Sequence, residues 1–148
     1  MKLYVTGSTK GLGAFLVRYF GGEAIDRPIV DLNTDIDNVV NKIEEGSTVI
    51  LNAHANQLEY VQRLKDKCSL IIMGSIAAVN ADPNMLEYSK EKTELEIAVR
   101  QLSLHSKYPM LYLQLTSSSY KDRSLIADSI EFWIDHPQVT SIGYNIND

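Results

Sequence analysis

The stretch that decides the fold is Leu3-Tyr4-Val5-Thr6-Gly7-Ser8-Thr9-Lys10-Gly11-Leu12-Gly13. Its apolar start is typical of a short buried strand, and apolar residues then recur at helical spacing over residues 12–19. Between the two patterns stand Gly7, Gly11 and Gly13. Glycines leave backbone N–H groups bare, and the start of a helix carries a positive partial charge. This strand–turn–helix unit predicts a site for the diphosphate of a dinucleotide.

The spacing of the three glycines distinguishes this turn from two related motifs. It reads G-x-x-x-G-x-G rather than the commoner G-x-G-x-x-G of dinucleotide-binding folds. It is not a P-loop, because no Gly-Lys-Ser/Thr follows. A plain strand-to-helix turn is the alternative interpretation. Three glycines at the first such junction of the chain favour the dinucleotide site.

Strand and helix patterns alternate along the rest of the chain. Further strands are predicted at residues 24–26, 29–32, 48–51, 70–73, 110–115 and 139–146, with helices at 36–43, 57–67, 83–106 and 125–134. Strands separated by helices pair in parallel, and right-handed crossovers place helices on both faces of the sheet. The sequence therefore predicts an α/β fold: a single three-layer Rossmann-type domain over residues 1–148, with a mostly parallel twisted sheet.

Composition excludes several classes of function. Of the 148 residues, 45% are hydrophobic and 22% charged, the balance of a globular domain. The net charge of -5 and the absence of a basic run argue against nucleic acid, and no apolar run could cross a bilayer. The N-terminal residues do not resemble a signal peptide, and a single cysteine, Cys68, fits the reducing cytoplasm. His105 and His136 lack acidic or cysteine partners at ligand spacing, so we expect no metal.

Three further motifs follow the glycine turn. Asn52-Ala53-His54-Ala55 ends one predicted strand, Ser75 follows the next, and Tyr88-Ser89-Lys90-Glu91-Lys92 lies 13 positions after Ser75. Together with Thr6–Gly13, these motifs resemble, in order, those of the short-chain dehydrogenase/reductase family. That family's turn reads Thr-Gly-x-x-x-Gly-x-Gly, and its catalytic helix carries Tyr-x-x-x-Lys. The resemblance covers almost the whole chain.

The resemblance implies catalytic roles for Ser75, Tyr88 and Lys92. Tyr88 and Lys92 are four apart on a predicted helix and share one face. A tyrosine ordinarily titrates near pH ~10, but a neighbouring ammonium favours the phenolate and so permits proton exchange near neutral pH. The family implies that Ser75 holds the substrate oxygen and that Lys92 also binds the nicotinamide ribose. Alone, Tyr88 and Lys92 would be an ordinary exposed helix pair, and Ser75 a polar cap; the four motifs together favour catalysis.

The resemblance also implies a nicotinamide cofactor. An acidic residue after the second strand selects NAD, and a basic one accepts the 2′-phosphate of NADP. Asp26 and Arg27 both stand there, which leaves this position open. Lys10 resembles NADP-preferring members, so we expect NADP, with NAD as the alternative. The expected cofactor-binding residues are Gly7, Ser8, Thr9, Lys10, Gly11, Leu12, Gly13, Asp26, Arg27, Asp31, Leu32, Asn52, Ala53, His54, Tyr88, Lys92 and Thr116.

Two segments of the family are missing. Only 22 residues separate Asn52 from Ser75, and the helix predicted at 57–67 lacks the asparagine that completes the family's proton relay. Gln57 and Gln62 are not established substitutes. Between residues 115 and 125 the chain also lacks the family's substrate-covering insert. A shallow, open pocket follows, which suits a large or carrier-borne substrate, a lid from another subunit, or weak catalysis.

Three functional interpretations remain. The first is an NADP-dependent oxidoreductase acting on a small-molecule or carrier-borne carbonyl or alcohol. The second is a non-catalytic NAD(P)-binding module that senses or scaffolds, and the third is a domain that keeps only the fold. The retained catalytic residues favour the enzyme, whereas the missing lid and asparagine favour the module. The helix predicted at 83–106 resembles the family's dimer helix and predicts a homodimer or homotetramer, although its apolar face could simply cover the sheet.

Overall fold

The computed structural model describes residues 2–25, 32–75, 84 and 86–144. Helices and strands alternate from the first strand to the last. In chain order the elements are β1 (Leu3–Thr6), α1 (Gly11–Phe20), β2 (Glu23–Ile25), α2 (Ile36–Lys42), β3 (Thr48–Leu51), α3 (Gln57–Leu64), β4 (Ser69–Met73), α4 (Leu86–Leu102), β5 (Met110–Gln114), α5 (Ser117–Lys121), α6 (Arg123–Asp135) and β6 (Ser141–Gly143).

The six described strands form one sheet in the order β2-β1-β3-β4-β5-β6, and every neighbouring pair is parallel. Val5 of β1 pairs with Ala24 on one side and with Ile50 on the other. The chain therefore leaves β1 in one direction to form β2 and returns past it to form β3. In open α/β sheets, ligands bind in the crevice beyond the carboxyl ends of the strands at such a reversal. The predicted Rossmann-type fold is confirmed.

Side chains of each strand alternate between two buried cores, because successive residues of a strand point to opposite faces. In β4, Leu70 and Ile72 join the core that packs under α2, α3 and α4, whereas Ile71 and Met73 join the core under α1 and α6. All four are at most 2% exposed. A sheet covered on both faces reads as continuous apolar runs, which is why the strands were clear in the sequence.

Several element boundaries differ from the prediction. Leu32, placed at the end of a strand, lies in a turn, and residues 29–31 lie outside the described residues. Helix α4 ends at Leu102 rather than near residue 106, since the amides of Leu104 and His105 bond to carbonyls only three residues back. Its predicted start at Asp82-Pro83 also lies outside the described residues.

The short helix α5 was not predicted. Thr116 caps it reciprocally: its side chain accepts a hydrogen bond from the Ser119 amide, while the Ser119 hydroxyl accepts one from the Thr116 amide. From its sequence, the chain was expected to pass almost directly from β5 to α6. A serine-rich segment gives no apolar periodicity from which a helix could be recognised.

None of the helices within the described ranges is long and apolar enough to cross a membrane. The same residues hold no group of three or more His, Cys, Asp or Glu side chains placed to bind a metal ion.

Candidate active site

The glycine turn connects β1 to α1 at the carboxyl edge of the sheet. Gly7 and Gly11 have positive φ angles of 65° and 61°, which glycine adopts without steric cost. A Cβ on Gly13 would lie 2.0 Å from the Gly7 carbonyl oxygen, so this glycine lets the helix start pack on the turn. A Cβ on Gly11 would meet no atom within 4 Å. Gly13 thus serves internal packing, whereas Gly11 faces open space.

The first turn of α1 is open to an anion. Its N-cap residue, Lys10, makes no side-chain capping bond, and no acidic residue lies in the first turn. Thr9, Lys10 and Gly11 are exposed. The first N–H groups of a helix lack intrahelical acceptors and sit at the positive end of its dipole. Within the described part of the chain, this helix start meets the requirements of a diphosphate site.

Thr6 and Asn52 hold the glycine turn against β3. The buried hydroxyl of Thr6 accepts hydrogen bonds from the amides of Asn52 (3.1 Å) and Ala53 (3.2 Å). The Asn52 side-chain amide donates to the Gly7 carbonyl at 2.9 Å. Asn52 and Ala53 were predicted to bind the cofactor. In the structure, their hydrogen bonds hold the glycine turn in place.

Replacing Thr6 by valine should destabilise the fold. The substitution keeps the shape of the side chain but leaves two amides at the crevice without their acceptor, so we expect a loss of about 2 kcal/mol in the free energy of unfolding. Urea denaturation measures it. The exposed Thr140→Val is the matched control and should change that free energy by less than about 0.5 kcal/mol. Equal effects from the two variants would contradict this account of the turn.

Lys92 is the most constrained charged side chain of the site. It is 3% exposed, and its Nζ lies 2.6 Å from Gln57 Oε1 and 2.9 Å from His54 Nδ1. The same nitrogen lies 5.5 Å from the centroid of the Tyr88 ring. Burial lowers the pKa of Lys92 to about 8, against the opposing charge of Glu91. At pH 7 the amine is still mainly an ammonium, held one helical turn from Tyr88.

Ser75 is positioned from β5. Its amide donates to the Tyr112 hydroxyl at 3.2 Å, and a Cβ on the preceding Gly74 would lie 2.0 Å from Tyr112 Cζ. Burial raises the pKa of Tyr112 to about 12, so the phenol stays protonated. The negative charges of Glu96 and then of ionised Tyr88 add to that rise, whereas the hydrogen bond from the Ser75 amide opposes it. Tyr112 was not predicted as a site residue; a tyrosine within the apolar strand at 110–115 was its only signal in the sequence.

A cleft of about 400 Å³ opens between α3 and α4, called here the α3–α4 cleft. His54, Gln57, Tyr88 and Lys92 line it. The structure thus brings together three predicted site residues, His54, Tyr88 and Lys92, and adds Gln57. The carboxylates that also line the cleft are Glu59, Glu91 and Glu94.

Two predicted cofactor residues have their own structural bonds. Leu32 is 6% exposed, and its carbonyl accepts from the Tyr60 hydroxyl at 2.8 Å. Thr116 is 5% exposed, with its hydroxyl engaged in the cap of α5. Cofactor contacts at both positions stay predictions. Those at Asp26, Arg27 and Asp31 fall outside the described residues.

No protein-family model matches the sequence, and no curated protein matches it. Solved structures do match. The protein lin1944 from Listeria innocua aligns with a TM-score of 0.76 and 11% identity, over 99% of this chain and 100% of that one. A short-chain dehydrogenase/reductase from Vibrio parahaemolyticus gives 0.69 and 14%, over 86% and 91%. A carbonyl reductase from Pseudomonas aeruginosa PAO1 gives 0.65 and 14%, over 97% and 96%.

These comparisons establish the fold. The chain has the architecture of short-chain dehydrogenase/reductases, as the four motifs implied. Identities of 11% to 14% carry the fold alone and leave activity, cofactor preference and substrate to the geometry of the site.

Proposed function

We propose that this protein is an NAD(P)-dependent oxidoreductase of the short-chain dehydrogenase/reductase type, which interconverts a carbonyl and an alcohol. The observation that carries the proposal is the buried Lys92 ammonium fixed beside Tyr88, on the same sheet edge as the open glycine turn. Burial of a charge is costly even where hydrogen bonds hold it, and a lysine with a perturbed pKa in a cleft is typical of a functional site.

The described residues fit a nicotinamide dinucleotide. The amides of the turn from Gly7 to Gly13 would hold its diphosphate, and Lys92 would bind the nicotinamide ribose. Among the described residues, Gln57 and His54 engage two of the three N–H bonds of Lys92, and the third would bind a ribose hydroxyl. The bound cofactor supplies or accepts the hydride.

The side chains of the site would handle the proton. The Tyr88 hydroxyl donates a proton to the substrate oxygen during reduction, and the Tyr88 phenolate removes a proton from the alcohol during oxidation. The Lys92 charge stabilises the phenolate that forms between these events. Ser75, held through its backbone by Tyr112, would hydrogen-bond the same substrate oxygen.

Cofactor turnover tests this function. The protein is mixed with NADPH or NADH and a panel of aldehydes, ketones and carrier-bound carbonyl thioesters, and the cofactor absorbance is followed. We expect saturable cofactor binding and oxidation with at least one member of the panel. Cofactor binding without turnover would favour the non-catalytic module, provided that the reverse reaction, oxidation of alcohols with NADP, is also absent.

A non-catalytic NAD(P)-binding module is the second candidate. The direct passage from β5 to the five-residue α5 supports it, because it leaves little chain for a lid.

We propose NADP as the preferred cofactor, on the basis of Lys10. This residue is exposed at the start of α1, where its charge would attract the 2′-phosphate. Lys10→Glu should lower the preference for NADPH over NADH by about 10-fold, and added salt should shrink the difference. Titration by calorimetry with both cofactors measures it. Lys107→Glu, before β5 at the opposite edge of the sheet, is the control; an unchanged preference in Lys10→Glu would contradict the assignment.

A further inference from the structure

We propose that His54 is a proton relay between Lys92 and solvent, and that Gln57 is the positioning residue that holds Lys92 against it. The inference rests on the proposed function and adds to it a route by which the protons of each turnover enter and leave the site. The geometry that carries it is the three-residue contact of Gln57, Lys92 and His54 at the base of the α3–α4 cleft.

Gln57 has one orientation in this arrangement. Its side-chain NH2 donates to the carbonyl oxygens of Leu51 (3.0 Å) and Met73 (3.1 Å), at the carboxyl ends of β3 and β4. The flipped amide would set its oxygen against two carbonyls and its NH2 against an ammonium. Gln57 is 5% exposed, so water does not substitute for these contacts. Its Oε1 therefore stays aimed at Lys92 and fixes where the ammonium lies.

The state of the His54 ring follows from its partner. An ammonium only donates hydrogen bonds, so Nδ1 of His54 accepts from Lys92, and the neutral ring carries its proton on Nε2. Burial, and then the Lys92 charge, lower the pKa of His54 below its ordinary 6.5, while Glu91 opposes them. The ring is therefore neutral at pH 7, and it can receive the Lys92 proton on Nδ1.

His54 also reaches solvent. The residue is exposed overall, although its ring is partly covered by Lys92 and Tyr88; it lines the cleft and packs edge-on against Tyr88, with ring centroids 5.9 Å apart. The titratable groups that line the cleft around it come from both helices: Glu59 from α3, and Tyr88, Glu91, Lys92 and Glu94 from α4. Among these described groups, Lys92 is the one that contacts a ring nitrogen of His54, namely Nδ1.

The proton steps balance without moving electrons. In alcohol oxidation, the Tyr88 phenolate removes the hydroxyl proton of the substrate and becomes a phenol, and the Lys92 ammonium passes one of its own protons to His54 Nδ1. The imidazolium then releases its Nε2 proton to solvent. Lys92, left as an amine, takes up the proton that Tyr88 had removed, and the neutral ring regains the Nε2–H form through solvent. One proton leaves per turnover, and reduction runs the same steps backwards.

The ring itself gives a readout without cofactor or substrate. Nitrogen NMR of the cofactor-free protein should show His54 as the Nε2–H tautomer with a pKa below 6.5. Lys92→Met removes a charge that lowers the His54 pKa, so this pKa should rise. His105 and His136 provide reference signals in the same spectra. A wild-type ring protonated on Nδ1, or a titration unaffected by Lys92→Met, would overturn the contact on which the relay depends.

Kinetics tests the relay in turnover. His54→Ala should lower kcat by about 10-fold or more, and added imidazole should restore part of it, because the free base can exchange the Lys92 proton. His105→Ala, an exposed histidine after α4, is the control. If His54→Ala keeps the wild-type kcat, or if added imidazole restores none of the lost kcat, the relay is overturned while the proposed function is unaffected. Cofactor binding without turnover in the wild type would overturn the relay and the proposed function together.

A charge placed at Gln57 tests its positioning role. Gln57→Glu brings a carboxylate to the Lys92 ammonium and should raise the lysine pKa above about 8. The alkaline limb of the kcat–pH profile should then move to higher pH. Gln62→Glu, on the same helix and lining the same cleft, is the control. A limb that moves equally in both variants, or in neither, would overturn the assignment of Gln57.

Discussion

Replacing Tyr88 by phenylalanine should lower kcat by about 10²–10⁴-fold while the dissociation constant of the cofactor changes little. The substitution removes one hydroxyl, which is the group that exchanges a proton with the substrate oxygen. It keeps the ring that packs edge-on against His54 and lies under Lys92. The fold and the lysine environment should therefore survive, and the loss should appear in kcat rather than in binding. Steady-state turnover and calorimetric titration measure the two quantities.

Tyr19→Phe is the matched control for Tyr88→Phe. Tyr19 lies on α1, is exposed, and donates its hydroxyl to Glu131 on α6. Tyr19→Phe removes a tyrosine hydroxyl that lies outside the proposed site, so kcat should stay at the wild-type value. If Tyr88→Phe also keeps the wild-type kcat, Tyr88 is not the acid/base, and the chemistry proposed here is wrong.

Replacing Gly11 by aspartate should weaken cofactor binding by about 100-fold. The new carboxylate would stand at the open start of α1, where the helix end and Lys10 otherwise favour an anion. Aspartate tolerates the positive φ of 61° better than most residues, so the fold should lose only about 1 kcal/mol. The effect should fall as salt concentration rises.

Gly21→Asp provides a closely matched control at the other end of α1. Gly21 has a φ of 63°, and a Cβ there would also meet no atom within 4 Å. The two variants therefore introduce the same side chain, a similar backbone strain and the same net charge. We expect Gly21→Asp to bind cofactor as the wild type does. Equal loss of binding in the two variants would indicate a general effect of the added charge and contradict a diphosphate site at Gly11.

The fold could be predicted because its signals are local. The strand residues of β4 are consecutive apolar side chains, and the glycines of the first turn stand within seven positions of one another. Parallel pairing then follows from the helices between the strands. The ends of the helices were harder to predict. Helix α4 ends at Leu102 because the amides that follow it bond to carbonyls three residues back, and the composition of that segment does not show this change.

The supporting contacts of the site could not be predicted because they join residues far apart in the sequence. Tyr112 bonds to the Ser75 amide across 37 positions, and Gln57 reaches Lys92 across 35. Tyr88 and Lys92 were identified from the family resemblance of the four motifs together, which gave no reason to select a glutamine at a helix start. In the structure, Gln57 is held by the ends of two neighbouring strands, an arrangement that depends on the register of the sheet.

Amide NMR during titration with NADPH most directly tests whether the glycine turn binds a diphosphate. The backbone amide signals of residues 8–13 should shift and saturate together with cofactor concentration, while those of Gly21 and Gly46, distant glycines of similar conformation, stay unchanged. Unmoved signals from the turn at saturating NADPH and NADH would contradict the account, whatever happened elsewhere in the protein.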